Sequence, residues 1–171
     1  MELGIGTGRV ALPLAARGIE VHGIDASDAM VSKLKAKSGG DSLTVTMGNF
    51  ADVAVDGEFS LVFVMFNTFF ALLTPEEQVR CFRNVAARLS AGGAFVIDAF
   101  VPDIRRFAGG QVVRTHALTT DSASLEVSQH DPVSQRVKGQ LIVFKNDQIK
   151  LYPVELRYCW PSELDLMAQL A

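Results

Sequence analysis

Two textures divide this chain. Up to about Phe100, short apolar runs alternate with stretches of helical period, the pattern of an α/β fold with a parallel sheet. Ile19–Asp25 and Leu43–Met47 read as strands, and Phe59–Phe66 is an almost continuous apolar run, as expected of a strand buried on both faces. Helices are predicted from about Arg9 to Arg17, with Pro13 kinking it and Gly18 stopping it, and from Asp28 to Lys37, with Ser27 as cap. Lys33, Lys35 and Lys37 suit the negative pole of that second helix and need no ligand. Thr74-Pro75-Glu76-Glu77 opens a third helix, expected to bury Val79, Phe82, Val85, Ala86 and Leu89. Leu89-Ser-Ala-Gly-Gly93 then leads into a strand over Ala94–Ala99.

Beyond Phe100 the helical period disappears, and Gln111–Trp160 reads as antiparallel strands. Ser124–His130 and Arg136–Phe144 flank the turn Asp131-Pro132-Val133-Ser134, and Lys145-Asn146-Asp147-Gln148 forms the next turn. The last run sets Tyr152, Val154, Leu156, Tyr158 and Trp160 on one face, the period of a half-buried strand, while Pro153 marks an edge or a bulge. A final helix opens at Pro161-Ser162-Glu163-Leu164-Asp165, with Ser162 read as its cap.

The stretch Glu2–Asp25 carries the candidate chemistry. Gly4, Gly6 and Gly8 form a tight turn between a strand and a helix, leaving no side chains between backbone and ligand. The N–H groups of the following helix start favour an anionic group there. Asp25 lies about 20 residues past the first glycine, where a carboxylate can hold a ribose hydroxyl pair. In the dinucleotide fingerprint G-x-G-x-x-G/A the sixth position is small. Here it is Arg9, which disfavours a nicotinamide cofactor.

The pattern E-x-G-x-G-x-G of Glu2, Gly4, Gly6 and Gly8 resembles the first motif of class I S-adenosylmethionine-dependent methyltransferases, with Asp25 and its neighbour Ala26 at their acidic second motif. Gly48-Asn49-Phe50-Ala51-Asp52 is similar to the third motif, where an acid or amide meets the adenine amino group. Asn49 departs from the commoner Asp but keeps an acceptor oxygen, and Phe50 would cover the adenine face; a polar turn after a strand is the competing reading. Phe66 and Asn67 end a buried strand at the sheet's carboxyl edge, making them candidates for the cofactor's methionine end. The resemblance implies a Rossmann-like sheet with helices on both faces, plus an antiparallel β insertion after the fifth strand. Residues 1–110 would be the cofactor-binding core, 111–160 the insertion (a lid or a dimer contact) and 161–171 the start of a core helix. Only Met1–Leu3 precede the glycine turn, and the family's last two strands have no counterpart, so the chain is expected to be a shortened version of the domain.

Composition adds exclusions. The chain has 171 residues and 49% hydrophobic content, enough for one core, and a net charge of −3 without a basic run gives no footprint for nucleic acid. The longest apolar stretch, Leu61–Leu73, is too short to span a membrane. Cys81 and Cys159 lack C-x-x-C spacing and no signal peptide is present, so a reduced cytoplasmic setting is the default expectation.

The chemistry implied is methyl transfer from S-adenosylmethionine to a nitrogen, oxygen or carbon nucleophile of a small molecule. The sulfonium is already activated and no metal is called for. Alignment is the protein's contribution, worth roughly 7–11 kcal/mol in favourable cases. His116, His130, Asp98 and Tyr158 are candidate bases, each with a structural reading beside it, and His22 reads as a packed strand residue. Two other readings stay open: a cofactor-binding or assembly module without turnover, and a nucleotide-cofactor oxidoreductase.

Overall fold

The computed structural model describes residues 1–171 and resolves into two compact units. The first comprises Met1–Phe69, Pro75–Phe100 and Asp165–Ala171; the second, Phe70–Thr74 and Val101–Leu164.

The first unit is built on a parallel sheet of β1 (Glu2–Leu3), β2 (His22–Asp25), β3 (Thr44–Met47), β4 (Phe59–Val64) and β5 (Leu89–Ile97), in the order β3-β2-β1-β4-β5. Three helices connect them: α1 (Ala11–Ala15), α2 (Asp28–Lys35) and α3 (Pro75–Ala86). The chain moves outward from β1 to β3 and then returns to build β4 and β5 on the other side. Right-handed crossovers then put α1 and α2 on one face and α3 on the other. One apolar cluster joins Ile5, Ala11, Val21, Leu34 and Leu43. Around α3, Phe82 stacks edge-on against Phe69 at 5.5 Å and Phe95 at 5.4 Å.

Several boundaries differ from the sequence reading, each for a local reason. α1 is shorter than Arg9–Arg17 because Pro13 has no N–H to give the Arg9 carbonyl. Gly18 does end it: at φ 81° it lets Ile19 N–H reach the Leu14 carbonyl (3.2 Å) while Gly18 N–H reaches Ala15 (2.9 Å). Ser27 caps α2 as expected, its hydroxyl accepting from Met30 N–H at 3.3 Å. α3 buries Gln78, Cys81, Phe82 and Val85; Val79 is half-buried and Ala86 exposed. Leu89 is no part of the helix. It opens β5, opposite Phe59, and the Ser90–Gly93 segment read as a loop is absorbed into that strand as an irregularity before Ala94 pairs with Leu61. β4 is fully buried only over Val62–Val64, with Leu61 left 43% exposed.

The second unit is an antiparallel meander of β6 (Gln111–Leu118), β7 (Ser122–Asp131), β8 (Arg136–Lys145) and β9 (Gln148–Arg157), paired in chain order. Asn146 and Asp147, at φ 50° and 58°, make the two-residue turn whose twist suits a hairpin. Pro153 lies on β9, an edge strand, as its missing N–H requires. The half-buried face expected for β9 is not found. Tyr152 and Val154 are 49% and 50% exposed, and Ile149 and Leu151 on the other face are more so. By register, Val113, Leu125, Val127, Ile142, Phe144, Ile149 and Leu151 share one face of this sheet.

The final helix, α4 (Pro161–Gln169), includes Ser162 in its first turn, and Trp160 stands at the cap position, its carbonyl accepting the Glu163 and Leu164 N–H groups at 2.9 and 3.2 Å. Pro161 takes the first helical position, and Glu163 reaches back to accept the Trp160 N–H at 2.8 Å. The same carboxylate accepts from Gln135 and from the buried Arg157 guanidinium.

Candidate functional site

In an open parallel sheet, ligands settle beyond the carboxyl ends of the strands where the strand order reverses. That point lies here between β1 and β4. Four of the connections leaving this edge contain the predicted site residues.

After β1 the backbone turns through Gly4, Gly6 and Gly8, all at positive φ. The three glycines have different reasons to be glycine. A Cβ on Gly4 would sit 2.5 Å from Thr68 Cγ2, and one on Gly8 would sit 2.3 Å from Leu34 Cδ1 and 3.0 Å from Leu12 Cγ. Both are close-packing positions. A Cβ on Gly6 would meet only the Gly4 carbonyl oxygen, at 4.0 Å, so the turn is open on that side. Gly8 is thus kept small by the Leu12 and Leu34 side chains of α1 and α2.

Asp25 ends β2 and is tied to the turn. Its Oδ2 accepts the Gly6 N–H at 2.7 Å and its Oδ1 accepts the Ser27 N–H at 2.8 Å. Each carboxylate oxygen keeps a further lone pair for a ligand hydroxyl. Ala26, next in the chain, is exposed. Glu2 is 4% exposed, and its Oε2 has no hydrogen-bond partner. Burial pushes its carboxyl up to about 7, although the Ala11 N–H pulls the other way. A buried acceptor without a donor is costly unless a ligand supplies one.

After β3, Asn49 is exposed and its side-chain oxygen accepts the Ala51 N–H at 2.9 Å. This is the local turn that competed with the adenine reading, and it leaves one lone pair on the oxygen. Phe50 is 9% exposed and its carbonyl lies near Cys81 Sγ, so little of its ring is open to a ligand.

After β4, Phe66 and Asn67 both adopt positive φ, 56° and 63°, rare for residues with side chains and a mark of strain at functional edges. Asp98, just past β5, holds this turn. Its Oδ2 accepts the Phe66 N–H at 3.0 Å and its carbonyl accepts the Asn67 N–H at 2.9 Å. Asn67 Oδ1 in turn accepts the Phe100 N–H at 2.7 Å. The Arg9 guanidinium stacks on the 49%-exposed Phe66 ring, 3.3 Å from its centroid. The sequence reading used Arg9 only to disfavour a nicotinamide cofactor and Asp98 only as a candidate base. The contact that connects them to Phe66 spans residues too distant in sequence for any period to reveal.

The other candidate bases lie in the second unit. His130 Nε2 and Tyr158 Oη are 3.0 Å apart, with Phe107 stacked on the His130 ring at 4.4 Å. Burial lowers the His130 pKa and raises that of Tyr158, so both stay neutral near pH 7. His116 is exposed on β6. His22 is a strand residue bonded to Thr46 at 2.8 Å and packed edge-on against Phe59, as expected.

The family described as "Methyltransferase domain" matches residues 1–93. The solved CcbJ methyltransferase from Streptomyces caelestis is 42% identical, with a TM-score of 0.92 over 99% of this chain and 70% of that one. The cypemycin N-terminal methyltransferase from a Streptomyces species is 28% identical over 172 aligned residues, covering 100% of this chain and 70% of its own length. The S-adenosylmethionine-bound amino pentose methyltransferase CalS10 from Micromonospora echinaspora has the same fold, with a TM-score of 0.74 at 20% identity over 97% of this chain and 71% of that one.

Proposed function

Since this chain belongs to the methyltransferase-domain family and is a class I, S-adenosylmethionine-dependent methyltransferase, we propose that it methylates a small-molecule acceptor at a nitrogen or oxygen. The names of two relatives support an amine: a cypemycin N-terminal methyltransferase and an amino pentose methyltransferase. The observation carrying the proposal is the 2.7 Å bond between Gly6 N–H and Asp25, which joins glycine turn and acidic motif at the reversal of strand order.

When bound, S-adenosylmethionine supplies a methyl group on an electron-poor sulfonium. The chain's residues fit such a ligand on two counts. The open side of Gly6 leaves room for ligand atoms against the backbone, and the unpartnered Glu2 Oε2 suits an ammonium. In this reading Asp25 holds the ribose hydroxyls with its remaining lone pairs, and Ala26 and Asn49 border the adenosyl part. Gly4, Gly6, Gly8 and Glu2 line the amino-acid end, and Phe66 and Asn67 shape the wall near the reacting methyl. Phe50, next to Asn49 and 9% exposed, backs the adenosyl part from the core rather than stacking face-on. Asp98 holds the Phe66–Asn67 turn, an occupation that argues against it as the base.

The wider proposal keeps residues 1–110 as the cofactor-binding core, 111–160 as an insertion with its own sheet, and 161–171 as the start of a core helix. The apolar face of that sheet supports a homodimer contact. No helix is long and apolar enough to cross a membrane. Two buried cysteines that form no disulfide support a reduced, cytoplasmic setting. The test is transfer of labelled methyl from S-adenosylmethionine to a panel of amines and alcohols, run beside calorimetry with S-adenosylhomocysteine and with NAD. Methyl transfer supports the proposal. Binding of S-adenosylhomocysteine without transfer to any acceptor points to a module without turnover, and binding of NAD alone overturns it.

A further inference from the structure

The Arg9 guanidinium has an unusual place. It is the first residue past the glycine turn, it is exposed, and it has no acidic partner within 4.0 Å. Its Cζ lies over the Phe66 ring instead, 3.3 Å from the centroid. The Phe66 backbone is held in a strained, left-handed conformation by the Asp98 carboxylate, which sets where the ring beneath the cation is anchored. Lys37, the other cation at this turn, already donates to the Thr7 carbonyl at 2.6 Å. Arg9 is therefore a planar, five-donor group without an acidic partner, placed over the Phe66 ring beside the proposed cofactor turn.

On the cofactor reading above, the amino-acid end of the ligand is a zwitterion that needs one acceptor and one planar donor. Glu2, seven positions before Arg9 at the other end of the turn, has the unpartnered acceptor oxygen. We propose that Arg9 is a specificity-determining residue for the cofactor, recognising its α-carboxylate through the guanidinium fork while Phe66 keeps the fork in place. A carboxylate matches the paired N–H groups of arginine, and an arginine stacked on a ring keeps its edge free for such bonds. A lysine would keep the charge but lose both the fork and the flat stack.

The test compares dissociation constants for S-adenosylhomocysteine and its decarboxylated analogue, by calorimetry, in the wild type, Arg9→Met and Arg9→Lys. The analogue keeps the ammonium and the adenosyl part, so the ratio of the two constants isolates the carboxylate. The wild type is expected to prefer S-adenosylhomocysteine by about 10–100-fold, the range for hydrogen bonds to a charged group. Arg9→Met should reduce that preference to within about threefold, and Arg9→Lys should fall between. A wild type that binds both ligands equally well overturns the assignment without help from any variant. So does an unchanged preference in Arg9→Met, or an equal loss for both ligands. A wild type that binds neither ligand overturns the cofactor reading as well, which separates the two failures.

Discussion

At the scale of single residues, the glycines of the turn make separable predictions because they have different surroundings. Gly8→Ala would drive a Cβ to 2.3 Å from Leu34 Cδ1 at a φ of 77°. Overpacking and left-handed strain together should cost about 2–4 kcal/mol of folding stability, read as a lowered denaturation midpoint. Gly6→Ala meets almost nothing in the protein and should cost only about 1 kcal/mol of stability. Its methyl would instead fill the open side of the turn, so S-adenosylhomocysteine affinity should fall more than stability does. Equal effects at both positions would count against the open side of Gly6 as ligand space. Glu2 adds a pH signature. Its carboxyl is raised from 4.5 to about 7 in the fold, so between these values the folded chain binds more protons than the unfolded one. Stability contributed by the protonated form is complete below about 4.5 and is lost as pH rises through about 7. Denaturant titrations at pH 5 and pH 8 should show the wild type losing stability relative to Glu2→Gln. A pH-independent difference would remove the buried carboxyl from the account.

At the scale of elements, the Arg157–Glu163 pair fixes the start of α4 within the second unit. The Arg157 side chain is 7% exposed and bonds Gln135 at 2.8 Å and Glu163 at 3.3 Å, while Glu163 also accepts the Trp160 N–H. Removing one member of a largely buried pair strands the other, so Arg157→Met should destabilise by about 3 kcal/mol, with Glu163→Gln milder because neutral Gln can still accept. Reversible denaturation checks the order; a milder Arg157→Met contradicts it. This element also shows what the sequence could not disclose. The helix start is legible from Pro161, but Ser162 is not the cap; the Glu163 carboxylate that accepts the Trp160 N–H is also held by Gln135, 28 residues away, which no local pattern reveals. The same holds for α3, where the apolar stripe was visible but Leu89 left it to pair with Phe59. Local chemistry such as Ser27, Gly18 and the Asn146-Asp147 turn could be read directly, since it depends only on near neighbours.

At the scale of the whole molecule, a parallel sheet and a separate antiparallel sheet were both legible in the switch of hydrophobic period near Phe100. The resemblance of Glu2–Asp25 to a known motif implies a Rossmann-like sheet, but the strand order β3-β2-β1-β4-β5 is visible only in the fold, because pairing partners are distant in sequence. The exposed apolar face of β6–β9 was not legible, because alternation says which residues share a face and not whether anything covers it. That face makes a testable demand. If it is a homodimer contact, Leu151→Glu, now 58% exposed, should shift the protein to monomers in sedimentation while leaving the folding transition of each unit in place. A wild type that sediments as a monomer at all concentrations would refute the dimer.

The central claim is that the glycine turn and Asp25 act together as the grip on S-adenosylmethionine. Calorimetric titration of S-adenosylhomocysteine into the wild type and Asp25→Ala tests it most directly. The account predicts saturable binding at one site per chain, weakened by about 1.5–3 kcal/mol when Asp25 is lost. Equal affinity in the two proteins, with both folded, would contradict it.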